Sequence, residues 1–358
     1  MNSVAIVQPS GASRRSSSNS GSAVRAPQPR VPRLGFIGLG WIGCKRLESV
    51  GASGSGEICG VADLMADARD AAGRVSPGAA RVATLEELLD LGLDGVVIAT
   101  PNALHAAQAT AALQRGCAVF CQKPLGCNAV DVRRVIGAAR AADRLLGVDL
   151  SYRHTAGMQA IRDLIRGGEL GDIYAVETEF HNAYGPDKAW FYDKKFAGGG
   201  CLLDLGTHLI DMAMWCLDFP AIRKVGGATI TNQVRADAST AVEDYASAQF
   251  VLESGTVVGV NCSWLAPTGT DAEISARFFG TKGGACFRNV NGSFYDFVAE
   301  RHLPNRTRMT LSKPPDDWGG RAILAWARQL ATAPEFDPGI EHLITVAEVL
   351  DTVCRSSA

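Results

Sequence analysis

Two clusters in this 358-residue chain have the residue types and spacing for chemistry. The first lies in Ala197–Trp215, AGGGCLLDLGTHLIDMAMW, where Asp204 and His208 stand four apart. On a helix they share one face, one turn from each other. A carboxylate beside an imidazole can fix the ring's tautomer and stabilise its protonated form, as a general base requires. Asp211 follows a further turn along, and Gly198, Gly199 and Gly200 ahead of the run would let backbone or ligand approach closely. The plainer alternative is an amphipathic core helix whose polar residues meet water. The second cluster is G-x-G-x-x-G at Gly38, Gly40 and Gly43, enclosing Trp41 and Ile42.

Each cluster needs elements to hold it. The glycines follow a short apolar run, Arg33–Gly38, and precede a helical pattern through Lys45-Arg46-Leu47. In that strand–glycine–helix setting the pattern becomes a dinucleotide fingerprint. The first glycine makes the tight turn, the second admits pyrophosphate to the backbone, and the third packs helix on strand. A second strand, EICGVAD, ends at Asp63, 20 residues after Gly43. That is the spacing at which a carboxylate accepts from the adenosine ribose hydroxyls. Leu64 and Met65 follow it rather than Arg or Lys, which favours NAD over NADP.

Strand and helix then alternate to about Leu150, predicting an α/β, doubly wound parallel sheet. Ligands of such sheets lie at the carboxyl ends of strands, where Thr100, Pro101, Asn102, His105, Gln122 and Lys123 fall. After Ser151-Tyr152-Arg153 come one helix, a long strand at Ile173–His181, the Asp204/His208 segment, and strand-like runs at Ile222–Thr231, Tyr245–Leu252, Thr256–Trp264, Glu273–Phe279 and Ala285–Arg288. This reads as an α+β domain on a large, mostly antiparallel sheet. Helices covering only one face of that sheet would leave the other to a homodimer or homotetramer. The expected division is a disordered tail over 1–30, a Rossmann domain over 31–151 and a substrate and oligomerisation domain over 152–358, whose last helices can pack back on the first domain.

A formal charge of −2 gives no electrostatic case for nucleic acid or an anionic membrane as the main partner. No apolar run approaches the roughly 18 residues of a membrane span. The ten cysteines form no C-x-x-C pair, so no metal site is expected, and a reducing cytoplasm is the simplest setting.

Taken together, G-F-I-G-L-G-W-I-G, T-P-N-A-L-H, Q-K-P, Y-R and G-G-G-C-L-L-D-L-G-T-H-L-I-D, in this order, resemble the Gfo/Idh/MocA oxidoreductases from about Arg33 onward. The resemblance implies a lysine–aspartate–histidine catalytic set, here Lys123, Asp204 and His208. The family usually carries Glu-Lys-Pro where this chain has Gln122-Lys123-Pro124. On this basis His208 is the expected general base, Asp204 orients it, and Lys123 donates to the substrate oxygen. Tyr152, Arg153, His181, Tyr184 and Trp190 are expected to line the substrate side, with Asp187 and Asp211 available to an amino-sugar. The expected activity is NAD-dependent oxidation of a secondary hydroxyl of a sugar, cyclitol or glycoside. An NADP(H)-dependent keto-sugar reductase and a non-catalytic dinucleotide-binding regulator are the alternatives.

Overall fold

The computed structural model describes residues 30–231 and 242–356. The expected tail lies outside the described residues, apart from Arg30. Six short strands, β1 Arg33–Ile37, β2 Glu57–Ala62, β3 Ala80–Val82, β4 Gly95–Ile98, β5 Ala118–Cys121 and β6 Leu146–Val148, form a parallel sheet. Its order is β3-β2-β1-β4-β5-β6, so the chain reverses direction across the sheet between β1 and β4. The central strands are apolar throughout because both faces are covered, and β4 and β5 are buried at every position. On the flanks lie α1 Trp41–Ser53, α2 Ala66–Val75, α3 Leu85–Leu89, α4 Asn102–Gln114 and α5 Ala129–Ala142. Thr84 starts α3 with a reciprocal capping box to Glu87, as T-x-x-E spacing dictates.

The second sheet has eight strands in the order β14-β13-β12-β11-β7-β10-β9-β8. Its long central strand β7 runs Ile173–Asn182, and β8 to β12 span Ile222–Ile230, Tyr245–Leu252, Val257–Ser263, Ala272–Gly280 and Gly283–Asn289. Every pairing is antiparallel except β10 with β7. Two strands at one end of the sheet went unread in the sequence: β13 Phe297–His302 and the edge strand β14 Arg308–Ser312. The run of charged residues Glu300-Arg301-His302 ends the apolar alternation of β13 early, and β14 is mostly exposed, so neither shows a full period-two pattern.

Helices α6 Ala156–Arg166, α7 Lys194–Ala197 and α8 Thr207–Cys216 belong to this half, and α9 Arg321–Leu330 and α10 Leu343–Ser356 close the chain. α8 is buried all round, from Leu209 to Cys216, so it is a core helix rather than an amphipathic surface one. Each fully buried aliphatic side chain there contributes about 1.5–3 kcal/mol. α9 returns to the first sheet: Ile323, Trp326 and Ala327 share a core with Leu34, Phe36 and Phe120. Leu343 and Ala347 of α10 likewise join the core beneath α4 and α5. The two sheets are thereby locked around the cleft between them.

Candidate active site

The cleft is a cavity of about 1840 Å³, lined from both halves of the chain. Small-ligand sites occupy about 300–1,000 Å³, so this one has room for two molecules side by side.

The first wall is the glycine loop. Gly38 has φ +86°, and a Cβ there would strike the Ala99 and Thr100 backbone. A Cβ on Gly43 would lie 1.9 Å from the Gly38 carbonyl oxygen, so this glycine does pack helix on strand. Gly40 differs: the space beside it is open, and it starts α1 without any side-chain cap. Uncapped N–H groups at a helix N-terminus facing a cavity fit a pyrophosphate. Gly38, Gly40, Trp41 and Ile42 face that cavity, as do Asp63, Thr100, Pro101, Asn102, His105 and Gln122.

The strand ends are braced by their own side chains. Asp63 accepts from the Leu39 N–H (2.8 Å) and the Met65 N–H (2.9 Å), which fixes the carboxylate against the loop. Two lone-pair sites on its oxygens remain for further donors. Arg69, which the sequence reading passed over, donates to the Asp63 and Leu64 carbonyls from one turn into α2. A cation therefore does stand close to Asp63. His105 is 1% exposed, with its two ring nitrogens 2.7 Å from the Thr100 and Pro124 carbonyl oxygens. It ties two strand-end loops together, and burial pushes its pKa down. Asn102 donates to the Ala197 carbonyl, which bridges the first half to the glycine run of the second.

Gln122 has an unforeseen partner. Its Nε2 donates to Asp149 Oδ2 at 2.5 Å, and the same buried carboxylate receives the Arg46 guanidinium and the Ser151 hydroxyl. Beside Asp149 an amide is a donor where a glutamate would add a second negative charge. Asp149 sits just beyond β6, at the strand end where the ligand rule for parallel sheets would have found it.

The second wall carries Asp204 and His208. Residues Leu202–Gly206 are a π-helical turn, a distortion frequent at functional sites. The glycines ahead of it admit protein rather than ligand: Cβ atoms on Gly198 and Gly199 would meet the Cys127 and Leu203 side chains, and one on Gly200 would lie 1.9 Å from the Glu243 carbonyl oxygen. Glu243 in turn accepts from the Gly200 and Leu202 N–H groups and caps this helix start.

The expected Asp204–His208 pair does not form. Asp204 Oδ1 lies 2.5 Å from Lys123 Nζ, which also donates to the Asp204 carbonyl at 2.9 Å. Its other oxygen accepts from Trp264 Nε1 at 3.2 Å. The widened turn breaks the four-residue alignment assumed for a regular helix, and both carboxylate oxygens are claimed elsewhere. Trp264, just past β10, is the residue the sequence reading missed here. His208 instead meets the edge of the Tyr152 ring, with centroids 5.0 Å apart at 84°. Burial, helped by the Lys123 ammonium, holds its pKa well below the usual histidine range. Lys123, Asp204 and His208 all face the cavity, yet the aspartate serves the lysine.

The substrate-side expectations divide. Tyr152, Tyr184 and Trp190 line the cavity. Arg153 does not: its guanidinium is held by Asp211, with Nε 2.8 Å from Oδ2, and contacts His342 Nε2 at 2.7 Å. Asp211 is 1% exposed and spent on that pair, so it is not available to a substrate amine. His181 also lies elsewhere. Strand alternation sends Phe180 and Asn182 to the cavity and His181 to the other face, where its Nδ1 lies 2.8 Å from Ser263 Oγ and its ring stacks on Tyr245.

Known proteins resemble this arrangement. Residues 32–150 match the oxidoreductase family with an NAD-binding Rossmann fold, and residues 158–286 match the Gfo/Idh/MocA C-terminal domain. The chain is 29% identical to the D-glucoside 3-dehydrogenase of Escherichia coli, over 55% of this chain and 60% of that one. It is 31% identical to the 1,5-anhydro-D-fructose reductase of Ensifer adhaerens, over 72% of this chain and 76% of that protein. Its fold is similar to that of GenD2 from gentamicin A biosynthesis, solved with NAD, at a TM-score of 0.76 and 24% identity, covering 93% of this chain and 96% of that one. The chain belongs to the Gfo/Idh/MocA family of oxidoreductases.

Proposed function

We propose that this protein is an NAD-dependent dehydrogenase that oxidises a secondary hydroxyl of a sugar, cyclitol or glycoside to a ketone. The observation that carries the reading is the convergence of Lys123 from the first sheet and His208 from the second half on one cavity behind an uncapped glycine loop. A bound nicotinamide supplies the hydride acceptor. The protein's share is to hold the alcohol and take its proton.

An ammonium has three donors, and Asp204 engages two of those on Lys123. The third is free to point at the substrate oxygen and to stabilise negative charge developing there. His208, kept neutral near pH 7, is a competent proton acceptor. Asp204, anchored by Trp264, positions the lysine. Asp63, Thr100, Pro101, Asn102 and Gln122 serve the dinucleotide side, Tyr152, Tyr184 and Trp190 the substrate side. Asp63 at the end of β2 supports NAD. The nearby Arg69 guanidinium is the observation that favours the second reading, an NADP(H)-dependent keto-sugar reductase.

The face of the second sheet that carries His181 also carries exposed Ile230, in keeping with a homo-oligomer formed through that face. Among the described residues no helix is long and apolar enough to cross a membrane. Ten free cysteines support a reducing, cytoplasmic setting.

The test is a screen of sugars, cyclitols and glycosides for NADH formation, with Lys123→Ala and His208→Ala alongside. Each variant is expected to lose about 100-fold or more in kcat while NAD affinity stays within a few-fold. Near-normal kcat in either removes that residue from the proton path.

A further inference from the structure

The substrate half of the cavity has a chemical character that narrows the substrate class, an inference that rests on the dehydrogenase reading above. It is walled by aromatic rings: Tyr184, Trp190, Phe191, Phe294, Tyr295 and Trp318. Several of these rings pack in pairs. Trp190 stacks on Phe191 with centroids 3.9 Å apart, Tyr184 leans on Phe294, and Trp318 stacks on Tyr152, the ring that His208 touches. Trp318 is pinned by its Nε1–H to the Tyr295 carbonyl. Tyr184 and Tyr295 are 55% and 56% exposed, too much for core residues and well suited to receive a second apolar group.

Charge points the same way. Every cation lining the cavity already faces a carboxylate: Lys45 with Glu48, Arg46 with Asp149, Lys123 with Asp204 and Lys188 with Asp187. Burial lowers the pKa of His105 and of His208, which disfavours a positive charge on either ring. Asp317 adds negative charge beside Trp318, with no ion-pair partner among the described residues. Phosphate recognition is strongest where a guanidinium or ammonium has no carboxylate beside it, and the cavity lining offers no such cation among the described residues.

We propose that the substrate is an uncharged or cationic glycoside bearing a planar apolar aglycone, which lies on this aromatic wall while the sugar ring sits between Lys123 and His208. Sugar phosphates and nucleotide-linked sugars are excluded by the carboxylates. One ring stacked against the wall and removed from water strengthens binding by about tenfold or more.

The experiment uses the full chain loaded with NADH for calorimetric binding, and with NAD for turnover. The probes are methyl and phenyl glucosides of both anomers, glucose 6-phosphate and UDP-glucose. The expected result is a phenyl glucoside bound at least tenfold tighter than its methyl counterpart, with both phosphorylated probes weaker than the methyl glucoside. Tyr295→Ala should bring the phenyl glucoside toward the methyl value and leave the methyl glucoside within about twofold. Equal binding of phenyl and methyl probes, no binding of either, or preference for a phosphorylated probe overturns the inference. Binding in the expected order without any NADH formation leaves this wall in place and removes the dehydrogenase reading instead.

Discussion

At the scale of single residues, the site turns on who holds Asp204. A carboxylate four residues before a histidine invites a charge-stabilised imidazole, but here the charge is spent on Lys123 and the indole N–H of Trp264. The consequence is a division of labour: the lysine is held by the aspartate, and burial holds the imidazole's pKa well below the usual histidine range. Gln122 follows the same logic, since its amide satisfies the Asp149 carboxylate that Arg46 and Ser151 also hold. Asp63 is the residue by which the cofactor choice can be measured. Asp63→Ala should weaken NAD about tenfold or more and NADP much less, because the lost acceptor serves the ribose hydroxyls while a 2′-phosphate gains from losing the charge. Fluorescence titration of both dinucleotides checks this, and an unchanged preference would show that Asp63 only braces the glycine loop.

Among the elements, the π-helical turn at Leu202–Gly206 and the glycines before it decide where Asp204 points. Gly198, with φ +80°, ends α7, and Gly200 lets the Glu243 backbone lie against the helix start. Gly200→Ala would force a Cβ into a carbonyl oxygen 1.9 Å away, with no flexible side chain to move aside. Overpacking of this kind costs about 1–3 kcal/mol. Chemical denaturation should register that loss, and turnover should fall further than stability, since Asp204 and Lys123 move with the helix. A variant as stable and active as the parent would mean that the segment before β9 yields freely.

For the molecule as a whole, pH is the lever that follows from burial. His105, His154, His181, His208 and His342 all have pKa values lowered, with burial the largest cause in each. The unfolded chain binds protons at these rings below about pH 6.5, whereas the folded chain resists them. Stability is therefore full above pH 6.5 and falls as the medium becomes more acid. His342, pushed down to about 4, remains largely unprotonated in the fold until that pH is reached. Its contribution alone amounts to on the order of 2 kcal/mol between pH 7 and pH 5. A lower Tm at pH 5 than at pH 7 is expected, and a flat profile would contradict the burial of these rings. His342 also packs against Arg153 and stacks on Phe219, so its protonation would strike the contact that joins the end of the chain to the cleft's framework.

Much of this was readable along the chain because local patterns report on local geometry. The glycine loop, Asp63 at the end of β2, the capping box of α3 and the alternation of strand and helix each follow from spacing within about thirty residues. The family likeness rests on the same short motifs in order. What distance along the chain conceals was settled only by the fold. Lys123 and Asp204 are 81 residues apart, Trp264 lies 60 beyond Asp204, and Arg153 and Asp211 are separated by 58. No periodicity announces such pairs, because each arises from where two separate elements end. His181 and Phe180 are neighbours in sequence yet face opposite sides of a sheet, and only the register of β7 with β10 and β11 decides which of them meets the cleft. Residue types carry the chemistry that is possible; the packing of two sheets around one cavity selects which carboxylate serves which base.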